Sequence, residues 1–255
     1  MTKVLPSAAI LRKMVGTYTE DSRKIVGRCL TVTTVSDAFR DIYQISLATY
    51  AVLESLAGPN LRPSLNPARS IAVRIPLLVS VGQSSVGDAE LRRFTELTLW
   101  TVYFTDHPIE WRTFNEKTGG GFSQDARRPI SYSAYRQPHF YLEYALELME
   151  REPSGLGTKA LNGVDQALGK LNAAVHAGRL ARATNRIPPH DEVTEPALRN
   201  FARLHRQTFS NCVLLLAAYR RSRFDRLNAV ARAHFDWLIG PNLKREVRKG
   251  PFGLS

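Results

Sequence analysis

The sequence predicts an all-α protein, a single domain of about seven or eight helices arranged as a bundle. Three observations carry this prediction. Apolar residues recur at three- and four-residue spacing through most of the chain. Capping residues open these periodic runs, and Gly-Pro or Pro steps close them. β-Branched runs that could be extended are confined to residues 17–35 and 68–82.

The elements follow in order. Residues 7–16 form a short helix. Residues 17–35 are rich in Thr and Val and are read as extended. Ser36-Asp37 is an N-cap signal for a strongly periodic helix carrying Phe39, Ile42, Tyr43, Ile45, Tyr50, Leu53 and Leu56, which Gly58-Pro59 stops. Asn66-Pro67 opens a helix over 67–81, with a buried strand as the alternative because Pro76 and the β-branched residues oppose helix. Gly87-Asp88 opens the next helix, Ala89 to Thr105, which His107-Pro108 ends.

Residues 115–131, with three glycines and the adjacent Arg127-Arg128, read as a mobile basic loop. Tyr132 to Glu152 is helical and ends at Pro153. A long helix runs from Leu156 to about Thr184, and residues 185–191 are a linker. Thr194-Glu195-Pro196 restarts a helix reaching Arg223; 224–239 continues or follows it, and Gly240-Pro241 breaks it before a basic tail. No internal repeat or low-complexity tract is present.

An apolar fraction of 44% over 255 residues suffices for a buried core. The two cysteines, Cys29 and Cys212, lack zinc or disulfide spacing, which suits a reducing cytoplasm. The first sixteen residues lack the apolar region of a signal peptide, and the longest apolar runs fall far short of a membrane span. Neither a cofactor nor a metal is expected.

The net charge is +12 and the pI about 10. Most of that charge is local: residues 179–249 hold fifteen Lys/Arg against six Asp/Glu, a net of +9. Charge concentrated in one part of a chain points to a polyanionic partner such as RNA or DNA. Arg127, Arg128, Arg179, Arg182, Arg203, Arg206, Arg220, Arg221 and Arg223 are the candidate phosphate contacts.

Two polar constellations fall in or beside this region. Asn172 and His176 are four residues apart, on one helical face, after Lys170; an imidazole beside an amide and a cation can do acid–base work on a phosphodiester. Arg199, Asn200 and His205 form the second: Arg would hold a phosphate and His would move a proton. Their six-residue spacing converges only if the helix starts or bulges near Arg199. In the bland reading the first histidine fills a helix interface and the second stretch is a solvated basic face.

Asp106, His107 and Glu110 end an aromatic helix, and His139 with Glu143 could in principle complete a metal or proton-transfer site; simple capping of the helix end is the alternative. Gly119 to Gly121 lack the Gly-Lys-Ser/Thr ending of a phosphate loop and read as a hinge. Tyr132, Tyr135 and Tyr141 offer stacking surfaces, unless they are core.

Arg199-Asn200-x4-His205 resembles the Arg…His pattern of the all-α HEPN superfamily. Leu171-Asn172-Ala-Ala-Val-His176-Ala-Gly178 is similar to a second HEPN-like stretch, with Leu171 where the Arg would stand. The resemblance implies a metal-independent ribonuclease of an antiviral-defence or toxin system, commonly dimeric, with Arg199 on phosphate, His205 or His176 as the acid–base, and Asn172 or Asn200 orienting it. It places RNA ahead of DNA as the partner. The alternatives are a non-enzymatic RNA- or DNA-binding subunit of a larger complex and a scaffold whose basic face docks an acidic partner.

Overall fold

The computed structural model describes residues 8–57, 62–110, 138–184, 194–249 and 251–254; within these, the side chains of residues 8–15, 18, 62–64, 138–139 and 173–184 are excluded from the description. The expected loop at 115–131, Tyr132, Tyr135, Arg127, Arg128 and the linker 185–191 lie outside the described residues.

Helix dominates and no strand occurs among the described residues. The elements are α1 (Ala8–Thr31), α2 (Thr33–Leu56), α3 (Arg62–Ser80), α4 (Ser84–Asp106), α5 (Pro138–Met149), α6 (Leu156–Thr184), α7 (Glu195–Tyr219), the single turn α8 (Arg221–Phe224) and α9 (Ala229–Lys249). Their buried side chains join in one contiguous core.

The Thr/Val-rich stretch 17–35 is not extended. Helix α1 runs through it to Thr31, and only Val32, at φ −83° and ψ 110°, leaves helical geometry before α2 begins at Thr33. Tertiary contacts outweigh β-propensity here: Ile25 and Cys29, then Val35 and Ala38, are buried at helical spacing, and Thr31 Oγ1 donates to Gly27 O at 2.7 Å. The cap of α2 is therefore Val32, four residues before the expected Ser36.

The segment read as helix over 67–81 is helix to Ser80, its start lying earlier at Arg62, and the strand alternative falls. Leu65, Ala68, Ile71, Ala72, Ile75 and Val79 form a buried stripe of helical period, and α3 holds both Pro67 and Pro76 within it. Helix α4 opens three residues before Gly87. A Cβ on Gly87 would stand 2.9 Å from the Phe201 ring, so glycine at this point lets α4 approach α7 closely. The buried hydroxyls of Thr95, Thr98 and Thr101 on α4 are satisfied by carbonyls one turn back, at 2.8–3.0 Å.

Helix α7 is the axis of the bundle, packing on α2, α6, α4 and α9. Thr194 caps it, accepting from the Ala197 amide at 3.4 Å. It stops at Tyr219, four residues before the expected Arg223, because Arg220 turns to φ −113°, ψ 49°. The Asn228 side chain accepts from Ala231 N at 2.8 Å and starts α9. Gly240, at φ 79°, breaks α9 before Pro241, where the sequence places the break, but helix resumes beyond it.

A buried carboxylate ties the chain's last described residues to this bundle. Glu152, 4% exposed, accepts hydrogen bonds from Ser154 N and Oγ, Gly157 N and Gly253 N at 2.5–3.1 Å. Leu254 N donates to Ala218 O at 2.8 Å, and Arg221 Nη1 to Phe252 O at 2.5 Å. Burial alone would push the Glu152 carboxyl up; the hydrogen bonds from Ser154, Gly157 and Gly253 outweigh it and hold the pKa below the ordinary 4.5.

Glu152→Ala is expected to cost about 3 kcal/mol, because it strands the buried Gly157 and Gly253 amides. A folded-state pKa below 4.5 means that the contribution is complete above that pH and drains as pH falls through the lower folded value. Urea unfolding across the acid range checks this; equal acid sensitivity in Glu152→Ala and wild type would contradict it.

Candidate nucleic-acid interface

Helical period decides which side chains of α7 reach solvent. Leu198, Phe201, Ala202, His205, Phe209 and Cys212 turn inward. Arg199, Arg203 and Arg206, at i, i+4 and i+7, share the opposite face. Six residues rotate a helix by about 600°, so Arg199 and His205 point apart unless the backbone is irregular between them. It is regular: α7 starts at Glu195 with no break before Tyr219.

The structure therefore does not bring Arg199 and His205 together. Arg199 Nε pairs with Glu195 at 2.7 Å on the surface. His205 is 0% exposed, its Nε2 sharing a 3.3 Å hydrogen bond with Ser46 Oγ while Nδ1 finds no partner. The Phe209 ring stands edge-on to the imidazole, with centroids 4.3 Å apart. Burial pushes the His205 pKa down to about 3, so the ring is neutral at pH 7. No solvent reaches this imidazole, so it cannot move a proton to or from a ligand in this conformation. Asn200 is exposed and accepts from Arg203 at 3.0 Å, on the side away from His205.

Asn172 and His176 both lie in α6, four residues apart. Asn172 Oδ1 is buried and finds no hydrogen-bond partner among the described residues. The His176, Arg179 and Arg182 side chains lie outside the described residues.

The exposed arginines line a groove between α7 and α9. An open depression of about 980 Å³ is walled by Arg203, Arg206, Gln207 and Ser210 on one side and by Asp236, Trp237 and Lys244 on the other. A smaller one of about 290 Å³ continues past Arg199 toward Asp41 on α2, sharing Arg203, Arg206 and Trp237 as its wall. The Arg206 guanidinium stacks 4.1 Å from the centre of the Trp237 ring and donates to the Trp237 carbonyl at 3.0 Å. Neither Arg203 nor Arg206 has a carboxylate partner among the described residues. Asp236 also faces the groove, but Lys244 and Arg248 bind it at 3.1 and 2.6 Å.

The other expected phosphate contacts stand elsewhere. Arg220 is seventeen residues beyond Arg203, about 25 Å along the axis. Arg220 Nε is buried without a partner. Arg221 holds Asp225 at 2.7 Å and the Phe252 carbonyl, so its guanidinium serves the fold. Arg223 is half-buried on the same turn.

At the end of α4, Asp106 accepts from the Tyr144 and Tyr219 hydroxyls at 2.7 and 2.6 Å, and Glu110 accepts from Tyr103 at 2.6 Å. Burial, then the Asp106 carboxylate, pushes both phenols above the ordinary tyrosine range. His107 stacks on Tyr103 at 4.1 Å, with Nδ1 on the Tyr103 carbonyl at 2.8 Å. These groups serve one another, and no group of three or more possible metal ligands occurs among the described residues. Tyr141, 1% exposed, is core rather than a stacking surface.

The sequence reading missed Trp237, Gln207 and Lys244. A signal existed for Trp237: Phe235, Leu238 and Ile239 fill the buried stripe of α9, and Trp237 falls off it. No described helix is long and apolar enough to cross a membrane. No protein-family model, curated protein or solved structure matches this chain.

The depressed histidine pKa has a sign that can be checked. The unfolded chain takes up a proton near pH 6.5 that the folded protein refuses until about pH 3. His205 therefore costs stability progressively as pH falls below 6.5, with a limiting slope of about 1.4 kcal/mol per pH unit. Histidine NMR should show a His205 resonance that stays neutral at pH 5; titration near 6.5 would contradict the burial.

Proposed function

We propose that this protein binds nucleic acid along the α7–α9 groove and does so without cleaving it. The observation that carries this reading is the pair Arg203 and Arg206, two cations on one helical face that no carboxylate neutralises among the described residues, opening on a groove of about 980 Å³. Arginines paired with acids have their charge neutralised within the fold; the hydrogen bonds of Arg203 and Arg206 end on the neutral oxygens of Asn200 and Trp237, so their charge stays available to phosphate. On the facing wall Lys244 and Arg248 share the one carboxylate of Asp236, so that cluster keeps a single net positive charge.

Binding is favoured over catalysis by the state of the acid–base candidates. A general base must reach its proton, and His205 is enclosed between α2 and α7 with its pKa near 3. The HEPN resemblance rests on the two sequence patterns alone: one has this enclosed imidazole, the other Leu171 in place of the arginine. RNA cleavage in chelator, abolished by His176→Ala, would restore the ribonuclease reading.

A cytoplasmic setting is part of the proposal, supported by two buried cysteines that are unpaired. The binding surface suits a subunit of a larger nucleic-acid complex as well as a free protein.

Affinity for an RNA oligomer, followed by fluorescence anisotropy, should fall steeply with salt. Arg203→Ala and Arg206→Ala should each weaken binding and reduce the slope of log K against log salt by about 0.7–0.9. A slope that neither substitution changes would remove the groove from the account.

A further inference from the structure

We propose that the α7–α9 groove takes single-stranded nucleic acid in particular, with an unpaired base stacked on Trp237. This rests on the nucleic-acid reading above and specifies its substrate.

The argument starts from where Trp237 stands. The aromatics Phe94, Phe209, Phe224 and Phe235 are buried to 0–1% exposure, while Trp237 keeps 39% of its surface open. Its neighbours on α9, Phe235 and Leu238, face the core, so helical geometry directs the indole outward into the groove. A large flat ring left in water forgoes the stabilisation that burial would give, and here it does so between cations.

The ring is also held in place. Arg206 covers one side of it at 4.1 Å and anchors itself on the Trp237 carbonyl at 3.0 Å. This double contact immobilises both side chains before any ligand arrives, which lowers the ordering cost of binding. A base added to the open part of the indole would meet a π-surface whose partner is a cation that no carboxylate neutralises among the described residues.

The surroundings fit a strand that passes over this platform. Trp237, Arg203 and Arg206 form the wall shared by depressions of about 980 and 290 Å³, so a chain can lie on both sides of the ring. These volumes fall in or near the range of about 300–1,000 Å³ usual for sites holding small organic groups. Arg203 and Lys244 stand on opposite walls to meet phosphates, and Gln207 and Ser210 add an amide and a hydroxyl that can meet a base edge. Two acids face the same space: Asp236 is neutralised by Lys244 and Arg248, and Asp41 lies beyond Arg199. A duplex keeps its base faces inside its own stack and could offer this indole only edges and backbone. The platform therefore selects the unpaired strand.

The test compares four probes on the full chain: an oligothymidylate, the same oligomer made abasic, its duplex with oligoadenylate, and inorganic polyphosphate. The oligothymidylate should bind about 5- to 100-fold more tightly than the abasic oligomer, the range expected for one stacked base. It should also quench tryptophan emission. Trp237→Ala should lower oligothymidylate affinity to near the abasic level and lower polyphosphate affinity by much less, since only the ordering of Arg206 is lost there, and Trp237→Phe should retain part of the difference. Trp237→Leu keeps apolar bulk without a flat ring and replaces the alanine variant if that one fails to fold. Equal binding of normal and abasic oligomers, or tighter binding of the duplex, overturns the stacking inference while leaving the groove a polyanion site. Binding of none of the four overturns the nucleic-acid reading itself. Polyglutamate serves as a fifth probe: if it binds as tightly as the oligomer and is indifferent to Trp237→Ala, the groove is reassigned to an acidic protein and both readings are overturned.

Discussion

Burial of α7 is the constraint on which the rest of this structure depends. Twenty-five residues of helix run through the middle of the bundle, in contact with α2, α4, α6 and α9. From Cys212 to Ala218 every residue is buried, and nearer the N-terminus a stripe of Leu198, Phe201, Ala202, His205 and Phe209 does the same work. Each large apolar side chain fully buried there contributes about 1.5–3 kcal/mol, so the helix cannot rotate without losing several of them. That fixed rotation sends Arg199, Arg203 and Arg206 outward. The same rotation places His205 inside. One geometric fact thus opens the groove and encloses the imidazole.

Net charge is a poor guide to which cations are free. The C-terminal third carries +9, yet the structure divides its arginines into different tasks. Arg221 holds Asp225 and the Phe252 carbonyl; Arg232 donates to the Phe224 carbonyl at 2.7 Å and lies 3.9 Å from the Phe224 ring; Arg248 helps neutralise Asp236. Burial lowers the pKa of Arg232, the mark of a guanidinium drawn into the fold. These contacts anchor α8, α9 and the last described residues around the end of α7. Arg203 and Arg206 are different because their hydrogen bonds end on neutral oxygens, which leaves their charge uncompensated.

Much of the fold is legible in the sequence where apolar period and punctuation agree. Leu156–Thr184 is a helix with the expected bounds, Thr194 is the cap of α7, and the chain breaks at Gly240-Pro241. Residues 17–35 are not legible, since Thr and Val favour strands in general and only the partners of Ile25, Cys29 and Val35 decide for helix. The site was half legible. Arg203 and Arg206 stand out as cations on a predicted helix; Trp237 does not, because a tryptophan in an apolar helix reads as core until its position relative to Phe235 and Leu238 is known. The Arg199–His205 pattern misleads for a related reason: a short motif says which residues are present, whereas helical rotation says which way they face.

The central claim is that nucleic acid lies between α7 and α9 beside Trp237. Photocrosslinking to an oligomer carrying a photoreactive pyrimidine, with adducts located by mass spectrometry, tests it most directly. The account predicts adducts at Trp237 and on the facing stretch between Arg203 and Ser210. Adducts confined to the far end of α7, around Arg220 to Arg226, or absent under conditions where the oligomer binds, would contradict it.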